Sequence, residues 1–177
     1  MSERGFSVPP NHKMHFVERD HIARDIARTY AIQREIIRSI LPRSRIRHIG
    51  STAIPKSITK GDIDLLVSVD PSFMTAADAR LSQSFKRNKG SSRSSTFSSF
   101  AGHHGSFPVG VQLVARGSDD ESEFMAVQNW LAQPAVVRKY NCLKQRFEGS
   151  SASAYRRAKS DFMRTILEKA RQGEGGR

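Results

Sequence analysis

The sequence predicts a mixed α/β (α+β) fold, a mixed β-sheet flanked by helices, and three observations predict it. The chain opens on a long stretch whose apolar residues, Ile22, Ile26, Tyr30, Ile37 and Leu41, recur at mostly helical spacing. Two central runs, residues 63–69 and 109–115, are rich in β-branched and apolar residues and have the length of strands. Three helix-length segments then close the chain. Strands between helices, without an internal repeat, imply a mixed sheet with helices packed against it.

Each element follows from local signals. Residues 1–13 are polar, carry Pro9-Pro10, and read as a flexible arm. Residues 15–41 form an amphipathic helix with arginines on its outer face, ended by Pro42. Residues 46–49 make a short strand, and Pro55 and Gly61 bracket the loop after it. Residues 63–69 read as a strand buried on both faces. Asp70-Pro71-Ser72 turns the chain into a helix over 72–85. The serine-rich, basic stretch 86–105 holds Phe97 and Phe100, and predicts a short edge strand at 96–101 between flexible loops. In the strand 109–115, Gly110, Gln112 and Val114 share one face. Asp119-Asp120 suits a helix N-terminus and opens a helix to 131. Pro134 starts another through 147. The last, 153–171, carries a stripe of Tyr155, Ala158, Phe162, Ile166 and Leu167. A single domain over 14–172 with a disordered tail at 173–177 is the expected organisation.

Lys and Arg number 29 against 17 Asp and Glu, a net charge of +12. That excess favours polyanionic partners such as nucleotide phosphates or nucleic acid. Composition alone does not separate the two, nor identify a protein partner. The single cysteine, Cys142, excludes an internal disulfide and a multi-cysteine zinc site. It reads as a structural residue of its helix. No segment approaches the roughly 20 apolar residues of a membrane span, and the N-terminal residues lack the apolar core of a signal peptide. The expectation is a cytoplasmic protein without membrane insertion.

The chemistry concentrates in residues 47–69. Gly50 allows a close backbone turn, and Ser51 offers a hydroxyl and an N–H to a phosphate oxygen. An ordinary helix cap accounts for the same two residues. Asp62 and Asp64 lie one residue apart on a strand, so they project to one face about 7 Å apart along the backbone. Two such carboxylates repel unless a cation stands between them or both face water. Magnesium prefers carboxylates together with substrate phosphates, so this pair can hold a metal against a triphosphate. A charged, solvated strand edge is the alternative. His48, just before the turn, can orient the loop or touch phosphate.

The pattern of an apolar residue, Gly-Ser, ten residues, then Asp-apolar-Asp resembles the nucleotidyltransferase superfamily. The segments "HIGSTAIPKSITKGDIDLLVSV", "VGVQLVARGS", "VVRKYNCLKQRF" and "YRRAKSDFMRTIL" are similar, in order, to its GrpB-like branch. The resemblance runs from about residue 48 to 167. It implies a nucleotidyltransferase-like sheet with C-terminal helices closing a cleft. It implies that Gly50 and Ser51 bind phosphate and that Asp62 and Asp64 hold magnesium and form the catalytic pair. It also points to Tyr140, Lys144, Tyr155 and Lys159 as cleft residues, the two lysines suiting triphosphate charge. Catalytic members of the superfamily present a third carboxylate from a later strand. Here that strand has no acid, and Gln112 stands at the inward place, unable to act as a base. Asp119, Asp120 and Glu123 read better as the start of a helix. Two functions are therefore expected as alternatives: a magnesium-dependent nucleotidyltransferase acting on a nucleoside triphosphate and an unidentified acceptor, or a non-catalytic nucleotide- or RNA-binding module. For the latter, the basic loop with Phe97 and Phe100 offers stacking to single strands.

Overall fold

In a computed structural model, Pro9 and residues 11–172 are described. Of the expected arm, residues 1–8 and 10 lie outside the described residues, as does the tail 173–177. Lys13, within the expected arm, bridges to Ser151, and the Ala152 N–H donates to the carbonyl of His12.

The elements run β1 (Val17–Glu18), α1 (Ala23–Ile40), β2 (Arg45–Ile49), β3 (Ile58–Thr59), β4 (Ile63–Val69), α2 (Met74–Leu81), β5 (Lys86–Arg87), β6 (Phe97–His104), β7 (Phe107–Ala115), α3 (Asp119–Leu131), α4 (Pro134–Arg146) and α5 (Ala152–Arg171). Five strands form one mixed sheet in the order β2-β4-β7-β6-β5. β4 and β7 are parallel, and the other neighbours are antiparallel. β1 and β3 make a separate two-stranded ribbon.

The sheet separates two environments. Ile63, Leu65, Val67 and Val69 of β4 and Val109, Val111, Leu113 and Ala115 of β7 face the main core, closed by Ile26 and Ile37 of α1 and Ala77 and Leu81 of α2. On the opposite face, Leu66, Phe97 and Val114 pack with Ile49 beneath Phe124 and Met125 of α3. Period-2 alternation in a strand covered on both faces accounts for the near-continuous apolar run of β4. The C-terminal helices build their own cluster from Leu131, Val136, Val137, Tyr140 and Ile166.

Two sequence expectations are corrected. The first helix starts at Ala23 rather than residue 15, because Val17 and Glu18 pair with Thr59 and Ile58 and Arg19 N–H donates to the Ser57 carbonyl. Those partners lie about forty residues away, beyond any local helical signal. The strand expected at the sheet edge is longer, Phe97–His104, and is internal, because Lys86 and Arg87 pair outside it. The open margins of the sheet are β2, with exposed Arg45 and Arg47, and β5, with exposed Lys86 and Arg87.

What holds β5 is Asp78, a buried residue of α2. Its carboxylate accepts both arms of the Arg87 guanidinium, Arg93 Nη2 at 2.8 Å and Ser98 Oγ at 2.5 Å. These donors, Arg87 foremost, hold its pKa below the ordinary carboxylate range despite burial.

Candidate functional site

The site forms where β2, β4 and β7 meet. Ile49 pairs with Asp64 in the β2–β4 ladder, and Gly110 faces Asp64 across the β4–β7 ladder. The chain leaves β2 at Gly50 with φ 77°, a left-handed conformation that suits glycine. This turn brings Gly50 over the carboxylate: a Cβ built there would stand 2.9 Å from Asp64 Oδ2. A Cβ on Gly110 would collide with Oδ1. Asp64 thus lies in a cradle of two glycines, and a side chain at either would force its carboxylate to shift.

Burial pushes the Asp64 carboxyl up to about 6, with the negative charge of Asp62 adding to the shift and Lys159 and Lys60 opposing it. Asp62 is also largely shielded, and the Lys60 ammonium lies 2.6 Å from its Oδ2. Lys60 was not singled out from the sequence. Its place beside Asp62, two residues along the chain, was the available signal.

The loop between Gly50 and Asp62 is held from several sides. The Gly50 N–H donates to Gln128 Oε1 of α3 at 2.8 Å. Asn141 of α4 accepts from Ile58 N–H and donates to the Lys56 carbonyl. Arg19 Nε donates to the Thr52 carbonyl, and Ser57 Oγ to the Ser51 carbonyl. Gln128 and Asn141 were not legible as site residues, because each acts on backbone about eighty residues away.

Lys144, one helical turn after Asn141, is almost fully buried at 1% exposure. Its ammonium donates to Ser51 Oγ at 2.7 Å and to the Ile58 carbonyl, and lies 3.9 Å from the centroid of the Tyr140 ring. Burial, with the charges of Lys159 and Lys60, pushes it down to about 6, while Asp62 pulls the other way. Tyr140 stacks on Phe162, and its hydroxyl lies 3.3 Å from that of Tyr155. Burial first, then Tyr140, raises the Tyr155 hydroxyl well above the ordinary phenol range. Ser51, Lys144, Tyr140 and Tyr155 are therefore linked, and the electrostatics of Lys144 join Lys159 and Asp62 to the same group.

His48 is placed elsewhere. It pairs with Leu65, on the opposite face from Asp64, and its ring stacks on Tyr30 of α1 with centroids 4.7 Å apart. Its Nε2 lies 2.9 Å from Thr52 Oγ1, which itself donates to the Asp62 carbonyl. The hydroxyl proton is committed to that carbonyl, so the histidine carries its proton on Nε2 and donates. Burial and the charge of Arg19 push its pKa down to about 4. Its reach into the site runs through Thr52 to the backbone of Asp62.

Gln112 stands on the Asp64 face, in register with Leu66 and Ser99. It is buried, its amide nitrogen also lies over Gly110, and its Oε1 has no hydrogen-bond partner among the described residues. Two of the acids considered for a third position are engaged elsewhere: Asp120 accepts from Thr96, and Glu123 pairs with Arg171 of α5. Among the described residues, no group of three or more His, Cys, Asp or Glu side chains is placed to hold a metal. Phe97 and Phe100, expected to be available for stacking on bases, are buried at 2% and 1% exposure and belong to the core.

Comparison with known proteins follows the same outline. A family model described as GrpB protein matches residues 17–169. A UPF0157 protein of Vibrio cholerae is 32% identical over 159 residues, covering 89% of this chain and 84% of its own. The crystal structure of conserved protein GrpB from Enterococcus faecalis has 19% identity and a TM-score of 0.70, covering 90% of this chain and 99% of its own. A structure of the Cid1 poly(U) polymerase overlays 66% of this chain and 39% of its own at a TM-score of 0.48, too loosely to bear on the site. No helix among the described residues is long and apolar enough to cross a membrane.

Proposed function

The chain belongs to the GrpB family, and from that premise and the site geometry we propose that it is a magnesium-dependent nucleotidyltransferase. It binds a nucleoside triphosphate between the Gly50–Ser51 turn and the C-terminal helices and transfers the nucleotidyl group to an acceptor. The observation that carries this reading is the Asp64 carboxylate, enclosed by Gly50 and Gly110 beside a second carboxylate and aligned with a turn whose serine touches a buried lysine.

The residues fit a divalent cation. Asp64 is shielded beside a like charge. That condition is relieved by a cation bound to oxygen ligands. Asp62 and Asp64 would hold it, and when bound it supplies positive charge against the triphosphate. The protein's own groups do the rest. Ser51 presents its hydroxyl, fixed by Lys144, toward phosphate. Lys159 adds positive charge on that side, and Lys144, pushed down to about 6 by burial, regains its charge as phosphate oxygens come beside it. His48 and Thr52 hold the Asp62 backbone.

Gln112 favours a second reading. A neutral amide stands where a third carboxylate would accept the acceptor's proton, which suits a module that binds nucleotide without turning it over. The buried phenylalanines take away one support for single-stranded RNA as its ligand.

Calorimetric titration with ATP and magnesium tests the binding step. The wild type should bind, and the Asp62→Ala/Asp64→Ala double variant should lose at least about a hundredfold in affinity, the equivalent of roughly 3 kcal/mol of charge-assisted contacts. Absent binding, or equal binding by the variant, refutes the reading. Incubation with labelled nucleoside triphosphates and candidate acceptors then separates transfer from binding alone.

A further inference from the structure

We propose that Lys60 is a provisional cation built into the site: its ammonium holds Asp62 until a divalent ion takes that position, and is then released to the incoming phosphate. The inference rests on the magnesium–nucleotide reading above and assigns a task to a residue that reading leaves idle.

The geometry is specific. Lys60 Nζ lies 2.6 Å from Asp62 Oδ2, and the two side chains are 26% and 19% exposed. A pair so shielded is not the loosely held, screened contact of a protein surface. Gly61, between the two residues, has φ 93°, and its N–H donates to Thr59 Oγ1. This bend joins the β1–β3 ribbon to β4 and sets Lys60 beside the carboxylates.

Three lysines act on this region, and they are not equivalent. Lys144 is confined: it is buried and engaged by Ser51, the Ile58 carbonyl and the Tyr140 ring. Lys159, on α5, acts on Asp64 and Lys144 through its charge. Lys60 has a carboxylate as its partner and retains an opening to solvent, so its flexible stem can move the ammonium without disturbing the core.

A single positive charge on Asp62 leaves Asp64 compensated only in part, by the charges of Lys159 and Lys60. A divalent ion shared by both carboxylates compensates the pair, but it must displace Lys60 to do so. Metal alone is therefore opposed by an internal competitor. When nucleotide is present, the displaced ammonium gains a phosphate partner and the opposition falls. Metal and nucleotide then bind with positive coupling, equal in both directions by linkage. No covalent step is involved.

The test measures Mn2+ binding by the full chain, with and without ATP, from the electron paramagnetic resonance signal of the free ion, corrected by a protein-free titration for the Mn2+ that ATP itself takes up. Manganese uses the same oxygen ligands as magnesium. In nucleotide-free protein, Lys60→Met should bind Mn2+ at least about tenfold more tightly than wild type, since the competing contact is a charge-assisted hydrogen bond. ATP should then raise its Mn2+ affinity by a smaller factor than in the wild type. Lys60→Arg keeps the charge and should stay close to wild type. Lys139→Met, an equal change of charge on the far side of α4, should also leave Mn2+ affinity unaltered.

If Lys60→Met binds Mn2+ no more tightly than a wild type that does bind Mn2+ with ATP, this inference is overturned and the nucleotide reading stands. Equal tightening by Lys139→Met overturns it as well, by assigning the gain to net charge. If the wild type takes up no Mn2+ even with ATP, the nucleotide reading falls and the inference falls with it. A variant that merely misfolds loses metal, so a gain in affinity is a readout that damage does not imitate.

Discussion

Asp78 and Asp64 are both aspartates shielded by the fold, Asp78 fully and Asp64 in part, and their surroundings differ in kind. Asp78 receives two arginines and a serine, and its pKa is held low. Asp64 is enclosed by two glycines with another carboxylate nearby, and its pKa is pushed up to about 6. The first arrangement is complete: the ionised carboxylate has its donors, and the contact ties the basic loop and β5 to α2. The second is not: like charge stands beside it, and Lys159 and Lys60 offset that only in part. A carboxylate left short of compensation is where the proposed cation would bind.

Neutralising each aspartate should therefore have opposite effects. Asp78→Asn strips acceptor charge from a buried network and should cost about 3 kcal/mol of stability by urea unfolding, with nucleotide affinity intact. Asp64→Asn removes a desolvated charge and should leave the protein as stable as wild type or more so at pH 7.5, while nucleotide binding is lost. A large stability loss in Asp64→Asn would erase the contrast.

The next effect lies behind the site. His48 is neutral in the fold down to about pH 4, whereas the unfolded chain protonates it near 6.5. Between these values the unfolded state binds the extra proton, so stability falls as pH drops from 6.5 toward 4. Allowing for partial exposure, the loss is about 2 kcal/mol. His48→Gln should flatten that part of the thermal stability profile. An unchanged acid limb would remove His48 from the support of Asp62.

A smaller stability loss than these, and the most selective effect on the site, should come from Gly110→Ala. The new methyl displaces the end of the Asp64 side chain and should cost roughly 1 kcal/mol. Metal-dependent nucleotide binding should fall at least tenfold, because Asp64 keeps its charge but loses its position. Unaltered binding would show that the glycine cradle is not needed.

Much of this was legible from local chemistry. β4 was found because its near-continuous apolar run suits only a strand covered on both faces, and α3 because acids fill its first turn after Ser118, whose side chain accepts from Glu121 N–H. The Gly50–Ser51 turn and the Asp62–Asp64 pair were readable because a short, ordered spacing carries them. The missing features depend on distant partners. β1 exists by pairing with Thr59 and Ile58, and β5 is secured by the Asp78–Arg87 contact. The grip of Gln128 on Gly50 and of Asn141 on the loop arises only when α3 and α4 are packed. No window of sequence contains both halves of those contacts.

The margins of the sheet have a consequence for how copies of this chain meet one another in solution. Arg45 and Arg47 stand on one margin and Lys86 and Arg87 on the other, with Asp78 cancelling one charge of the second. Any two margins brought together present like charge at the roughly 4.8 Å spacing that strand pairing requires. Physiological salt screens over about 8 Å, which leaves much of that repulsion in force, whereas molar salt screens over about 3 Å. The sheet thus carries an ionic barrier against growing from one molecule into the next, effective in dilute buffer and fading in concentrated salt.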